Sequence, residues 1–230
     1  MMEPRDTAAP WHVRPGFQGL PYAGRCAPAD RFAGRMKRSI AIQVPMKFCS
    51  NCGAQVDFRI PAGDALPRHV CARCGTIHYQ NPKLVVGALA EWEDRILLCR
   101  RAIEPRHGMW TLPAGFMENG ESTAQAATRE TLEEACARIE LGAMYTLIDV
   151  PHISQVHVIY RARLLDLDFR PGEESLDVAL FEEKDIPWEQ IAFRTIALTL
   201  HKYFEDRRRG EWPFHSFAIG APPPEPAPKP

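Results

Sequence analysis

The stretch that decides the fold is Gly115-Phe-Met-Glu-Asn-Gly-Glu121-Ser-Thr-Ala-Gln-Ala-Ala-Thr-Arg129-Glu130-Thr-Leu-Glu133-Glu134-Ala-Cys-Ala137. It predicts a glycine-rich loop feeding a helix. Glu121, Ser122 and Thr123 supply acidic and polar groups where the helix begins, which suits orphan N–H groups and the positive end of the dipole. The Ala-rich run after them favours helix and contains no breaker. Glu130, Glu133 and Glu134 then stand at i, i+3 and i+4, so their carboxylates share one helix face. Leu132, Ala135, Cys136 and Thr128 are expected on the other side, towards a core. A solvated acidic face is the bland reading of three neighbouring carboxylates. The adjoining Arg129 and the tight loop before the helix favour instead a hard divalent cation held by carboxylate oxygens.

Outward from this stretch, composition bounds the rest. The chain has 230 residues, 45% of them hydrophobic, and a net charge of -1. That is enough for one core domain plus a small module. So small a net charge provides no global field for nucleic acid or an anionic membrane. No apolar run approaches the roughly 20 residues of a membrane helix, and no apolar segment near the N-terminus reads as a secretory signal. A cytoplasmic location is expected, with organelle import if the Arg-rich residues 1–45 are a transit peptide. Those 45 residues read as a disordered extension or a mis-called start, since Met46 opens the first organised module directly.

Seven cysteines are present, and four have metal spacing. Cys49-Ser-Asn-Cys52 and Cys71-Ala-Arg-Cys74 are separated by eighteen residues. Two such knuckles, each followed by glycine (Gly53, Gly75), predict a tetrahedral Zn(II) site. Four thiolates close the coordination sphere, so the metal's role is structural, and a ribbon this small takes its folding energy from it. Disulfides or unrelated cysteines are the competing reading, as is a nucleic-acid contact through Arg68, His69, Arg73 and His78. No basic-aromatic patch of the single-strand-binding kind is evident. Cys26 is expected to have no partner, and Cys99 to be core.

After the ribbon, Leu84–Leu89 and Arg95–Arg100 read as strands joined by a turn at Trp92-Glu-Asp94. Arg100 and Arg101 lie at the second strand's end, either near an anionic substrate or on a solvated edge. Ile139–Asp149, Val156–Leu165 and Leu176–Phe181 are further strands. Glu173 and Glu174 sit on a turn-rich loop. A helical segment is expected from Ile186-Pro-Trp188, ending at Arg207-Arg-Arg209. Residues 219–230 form a Pro-rich tail.

Gly115, Glu121, Arg129, Glu130, Glu133 and Glu134 fall in register with the Nudix box, from which Thr131, Cys136 and Ala137 depart. With Phe48-Cys49, the second Cys pair, Tyr79-Gln-Asn-Pro-Lys83, Gly108-Met-Trp-Thr-Leu-Pro-Ala-Gly115 and Pro171-Gly-Glu-Glu-Ser-Leu176, the chain resembles the zinc-ribbon Nudix hydrolases of the plant FAD pyrophosphatase and ADP-ribose pyrophosphatase group. The resemblance implies an α/β fold, a Nudix α/β/α sandwich with a mixed sheet over residues 81–218, preceded by the zinc ribbon at 46–80. It implies hydrolysis of a diphosphate in a nucleoside diphosphate derivative, FAD to FMN and AMP, with ADP-ribose and NADH as rivals. Mg(II) or Mn(II) would be held by Glu130, Glu133, Glu134 and a backbone carbonyl at Gly115. Arg129 would orient the glutamates, Glu121 would stand behind them, and a box glutamate or Glu174 would be the general base. A small-molecule nucleotide is the expected partner, rather than nucleic acid or membrane, with a homodimer suggested by the resemblance. Two alternatives stay open, an NADH or NAD-cap pyrophosphatase and a non-catalytic nucleotide-sensing regulator. The NADH enzymes' Ser-Gln-Pro-Trp-Pro-Phe-Pro run is missing between Gly142 and His157, and Trp212-Pro-Phe-His215 is a partial lookalike in the wrong place. Trp92, Trp110, Tyr145 and Trp188 could stack on a ring or simply be core.

Overall fold

The computed structural model describes residues 46–220. The extension expected at 1–45, with Cys26, and residues 221–230 of the Pro-rich tail lie outside the described residues. No helix among the described residues is long and apolar enough to cross a membrane.

The N-terminal module is a three-stranded antiparallel sheet of β1 (Val56–Arg59), β2 (Arg68–Cys71) and β3 (Ile77–His78). Its buried residues are few: Cys49, Pro61, His69, Val70 and Cys71. Apolar burial on that scale stabilises by only a few kcal/mol, so cysteine ligation is what can hold it.

The larger module is built on β4 (Lys83–Trp92), which makes a hairpin with β5 (Arg95–Arg101) through a turn at Glu93 and Asp94. Short strands β6 (Trp110–Thr111) and β7 (Ala114–Phe116) pair with β5 and β4. Next come helix α1 (Thr123–Ala135), the long strands β8 (Ile139–Val150) and β9 (Gln155–Leu164), then β10 (Ser175–Phe181), α2 (Arg194–Arg209) and β11 (His215–Ala218). The sheet order is β10-β5-β4-β9-β8-β11. β4 runs parallel to β9 over Lys83↔Gln155 to Glu91↔Arg163, and β11 runs parallel to β8, while the other pairs are antiparallel. The sheet is therefore mixed.

The two faces of β4 explain the layers. Val86, Ala88 and Ala90 point to one side, where Ala126, Ala127 and Ala135 of α1 pack on them. Leu89 points to the other, where Ile196, Leu200, Tyr203 and Phe204 of α2 join Ile96, Leu98, Leu112 and Ile159. A strand buried on both faces reads as a continuous apolar run, as Leu84–Leu89 does. The result is the expected α/β/α sandwich. The expectation for the start of the last helix fails: no helix begins at Ile186-Pro-Trp188. Trp188–Gln190 is a single 3-10 turn, and α2 starts at Arg194. Pro187 has no N–H to donate and restricts Ile186 to extended backbone.

The fragment Trp212-Pro-Phe-His215 has a structural role. The Trp212 ring stacks on the Arg161 guanidinium at 3.4 Å, and Arg161 pairs with Glu91 at 2.8 Å. His215 Nε2 lies 2.6 Å from Asp206 Oδ2, the oxygen that also accepts the Tyr145 hydroxyl. These contacts tie the last strand to α2 and to the sheet.

His157 lies under α2, with Nδ1 at 3.1 Å from Thr195 Oγ1 and Nε2 at 2.9 Å from Gln155 Oε1. Burial pushes its pKa down to about 4. An unfolded histidine titrates near 6.5, so between these values the unfolded chain binds a proton that the folded one refuses. Stability therefore rises with pH across this window and is lost as pH falls through it. The term amounts to about 2 kcal/mol near pH 5 and tends to about 3 kcal/mol below that. His157→Gln should remove this component. Urea denaturation of both proteins near pH 5 and pH 7.5 checks it, and equal pH slopes would refute the assignment.

Candidate active site

Helix α1 opens with a capping box. Ser122 Oγ accepts the Gln125 N–H at 3.2 Å, and Gln125 Oε1 accepts the Ser122 N–H at 2.8 Å. This fixes where the helix starts and hence which way its glutamates point. The helix closes at Cys136, which has a left-handed φ of 47°. A non-glycine residue there costs on the order of 1 kcal/mol, so the box's missing last glycine changes stability rather than geometry.

The face assignment from sequence is half reversed. The sheet-facing side of α1 is Ala126, Ala127, Glu130, Thr131, Glu134 and Ala135, while Thr128 and Leu132 point outward. Ala135 is buried as expected and Cys136 half-buried. Glu130 and Glu134 thus lie between helix and sheet. Glu133 is 57% exposed and turned to Arg129.

Arg129 organises the loop. Its Nε and one terminal nitrogen grip both oxygens of Glu121 at 3.0 and 2.7 Å. The other terminal nitrogen donates to Glu130 at 2.8 Å and Glu133 at 2.9 Å. A further bond reaches the Phe116 carbonyl at 3.2 Å. A planar fork of five donors can make such a set and an ammonium cannot. The Arg129 bonds, with the Glu118 N–H, hold the Glu121 carboxyl below its usual range.

Gly115 on β7 faces α1. A Cβ there would run into both carboxylate oxygens of Glu130, so a side chain at this position would push that carboxylate away from the loop backbone. Burial raises the Glu130 pKa, with Arg129 opposing. Burial, then the Glu130 charge, pushes Glu134 up to about 8, against an N–H bond from Ala114 and the charge of Arg101. Glu174 bears on both carboxylates by its charge. Glu130 and Glu134 repel one another and both feel the Glu174 charge, with Arg129 and Arg101 opposing. Among the described residues only the four ribbon cysteines already gather their ligand atoms closely, and the glutamates offer hard carboxylate oxygens. Such oxygens suit Mg(II) or Mn(II).

Arg101 comes near Glu134, its Nε held by the Pro105 carbonyl at 2.9 Å and its guanidinium over the Phe193 ring at 5.2 Å. Arg100 instead bonds the Gly108 carbonyl. Trp110 and Tyr145 are buried, and Trp188 stacks on His201 at 4.2 Å. Cys99 is buried, and Ser175 is buried on the neighbouring strand. Sequence reasoning missed Phe193 and gave Gly172 and Ser175 no role beyond their place in Pro171–Leu176, because only long-range pairing brings them here.

In the ribbon, the Sγ atoms of Cys49, Cys52, Cys71 and Cys74 all lie within 4.8 Å of one another. Cys49 to Cys74 is 3.6 Å and Cys52 to Cys71 is 3.5 Å. A zinc tetrahedron with bonds of about 2.3 Å has edges of about 3.8 Å, so the donor set fits Zn(II). His78 Nε2 approaches Cys49 Sγ at 3.3 Å from outside the cluster.

Two family models match the chain: "Nudix N-terminal", a zinc ribbon, over residues 47–80, and "NUDIX domain" over residues 81–198. A crystal structure of a NUDIX hydrolase from Nitrosomonas europaea is 59% identical, with a TM-score of 0.74, and the match covers 76% of this chain and 99% of that one. An ADP-ribose pyrophosphatase of Methanocaldococcus jannaschii is 27% identical over 113 residues, 47% of this chain and 67% of that protein. The NAD-capped RNA hydrolase NudC of Photobacterium profundum is 32% identical over 151 residues, 65% of this chain and 54% of that protein. The chain spans about half to two-thirds of the length of these curated relatives. With its ribbon, its sandwich and its box in register, the chain belongs to the Nudix hydrolase family.

Proposed function

We propose that the protein hydrolyses the diphosphate bond of nucleoside diphosphate derivatives, with FAD its preferred substrate and ADP-ribose and NADH also cleaved. The observation that carries this is the buried pair Glu130 and Glu134, set against Gly115 and the Arg129 fork. Glu130, Glu133, Glu134 and the Gly115 carbonyl would hold Mg(II) or Mn(II). The bound cation supplies charge neutralisation on the phosphate oxygens and acidifies water. Arg129 keeps the loop and glutamates in register through its bonds to Glu121 and Phe116. Glu174, exposed at the rim, takes the proton of the attacking water as the P–O bond of the anhydride breaks. Intact carboxylates argue against a non-catalytic regulator. NAD-capped RNA is the second reading, favoured by the similarity to relatives named as NAD-capped RNA hydrolases.

All three small substrates share an adenosine diphosphate half, so discrimination comes from the other half. Stacking a flavin adds about 0.5–1.5 kcal/mol, which is about tenfold at most. Activity on at least two of the three is expected, with FAD highest and FMN and AMP as its products. The test is kcat/KM for each at saturating Mg(II), alongside an NAD-capped RNA. FAD falling tenfold or more below NADH or ADP-ribose would remove the FAD preference. Cleavage of nucleoside triphosphates alone would remove the dinucleotide reading.

A further inference from the structure

Residues 170–175 cross the C-terminal end of α1. The Arg170 N–H donates to the Ala135 carbonyl at 3.0 Å and the Gly172 N–H to the Glu134 carbonyl at 3.0 Å. The turn thereby takes up carbonyls that a helix end leaves without intrahelical partners. A Cβ at Gly172 would land inside the van der Waals envelope of the Glu133 carbonyl oxygen and against the Glu134 carbonyl carbon. Both obstacles are helix backbone, which cannot rotate aside as a side chain would. The φ of Gly172 lies outside the left-handed region, so the position requires glycine for close approach. Two bonds fix the residues after Gly172: Ser175 N–H to the Gly172 carbonyl at 3.1 Å, and Ala102 N–H to the Glu174 carbonyl at 2.8 Å. Glu174 is thus pinned between the catalytic helix and the end of β5.

We propose that Gly172 is a positioning residue: lacking a side chain, it lets this turn lie directly on the last turn of α1 and so sets the Glu174 carboxylate beside Glu130 and Glu134. This rests on the role given to Glu174 above. Its neighbour Glu173 is exposed on the same turn and has no part in it.

The test uses the full chain with FAD and Mg(II), or whichever substrate the panel ranks first. Gly172→Ala should lower kcat by roughly tenfold to a hundredfold, the scale of an ångström's misplacement, with KM changed less than about twofold. The double variant Gly172→Ala/Glu174→Gln should be no slower than Glu174→Gln alone, because the glycine acts through that carboxylate. Amide hydrogen exchange of the metal-free protein gives a readout independent of turnover: protection at Gly172 and Ala102 should fall in Gly172→Ala while the interior of α1 keeps its own. If Gly172→Ala does not fold, Glu174→Asp decides. A pinned backbone cannot follow the shortened side chain, so this variant should lose nearly as much as Glu174→Gln, and wild-type turnover would overturn the proposal. Additive losses in the double variant, or a Gly172→Ala enzyme with wild-type kcat beside a crippled Glu174→Gln, would overturn it alone. Wild-type turnover by Glu174→Gln would remove the role of Glu174 and the proposal with it, leaving the metal-site reading intact.

Discussion

Glu134→Gln should slow hydrolysis by roughly three orders of magnitude, about 4 kcal/mol of transition-state stabilisation. The side chain is buried between helix and sheet, and its carboxylate accepts the Ala114 N–H. Glutamine keeps that acceptor and that volume. It removes a charge that burial and Glu130 already disfavour, so the metal-free fold should be as stable as before or more so. The loss should therefore appear in kcat and in the thermal stabilisation that added Mn(II) confers on the wild type. Near-wild-type turnover with an unchanged Mn(II) response would eliminate Glu134 as a metal-holding group.

The largest expected effect on stability belongs to the ribbon. Cys71→Ser should release one zinc per chain and unfold the sheet of β1, β2 and β3. Structural zinc in small modules supplies about 10–16 kcal/mol of folding free energy, and the few buried residues here cannot replace it. The catalytic module should persist, because its three apolar clusters contain no residue before Leu84. Metal analysis and limited proteolysis of wild type and variant check both halves. Wild-type protein purified under reducing conditions without zinc would refute the site. Loss of α1 together with the ribbon would refute the independence of the two cores.

The legible features were local ones. Cysteine spacing, the helix start at Ser122, the in-register box and the doubly buried strand at Leu84–Leu89 each depend on neighbours in sequence. The facing of α1 did not yield to the same reasoning. Helical periodicity assigns Leu132 to the core and the glutamates to solvent, whereas the structure places small alanines against β4 and two glutamates beneath the helix. Close packing on the sheet requires the alanines, and the cation site proposed above would require the carboxylates inside, so on that reading function overrides the hydrophobic pattern at this place. Arg101 and Phe193, like Gly172 and Glu133, meet only through long-range contacts. A single sequence holds no local mark of those meetings. The lookalike Trp212-Pro-Phe-His215 has its explanation in Arg161 and Asp206, again far away along the chain.

The parallel pairing of β4 with β9 has a consequence for how the molecule comes into being. Lys83–Glu91 must meet Gln155–Arg163, so the two central strands are joined by a long excursion, and α1 lies within it. β11 closes against β8 after a comparable detour. Neither pairing can form until most of the chain has left the ribosome, and each costs loop-closure entropy before it is rewarded. Local contacts can form the capped helix early. The Gly115 loop, the Glu130–Glu134 pair and the turn at Gly172 acquire their mutual positions only when the centre of the sheet zips. Catalytic competence is therefore a late event in folding, and the nascent chain holds its acidic helix without a finished place for the cation.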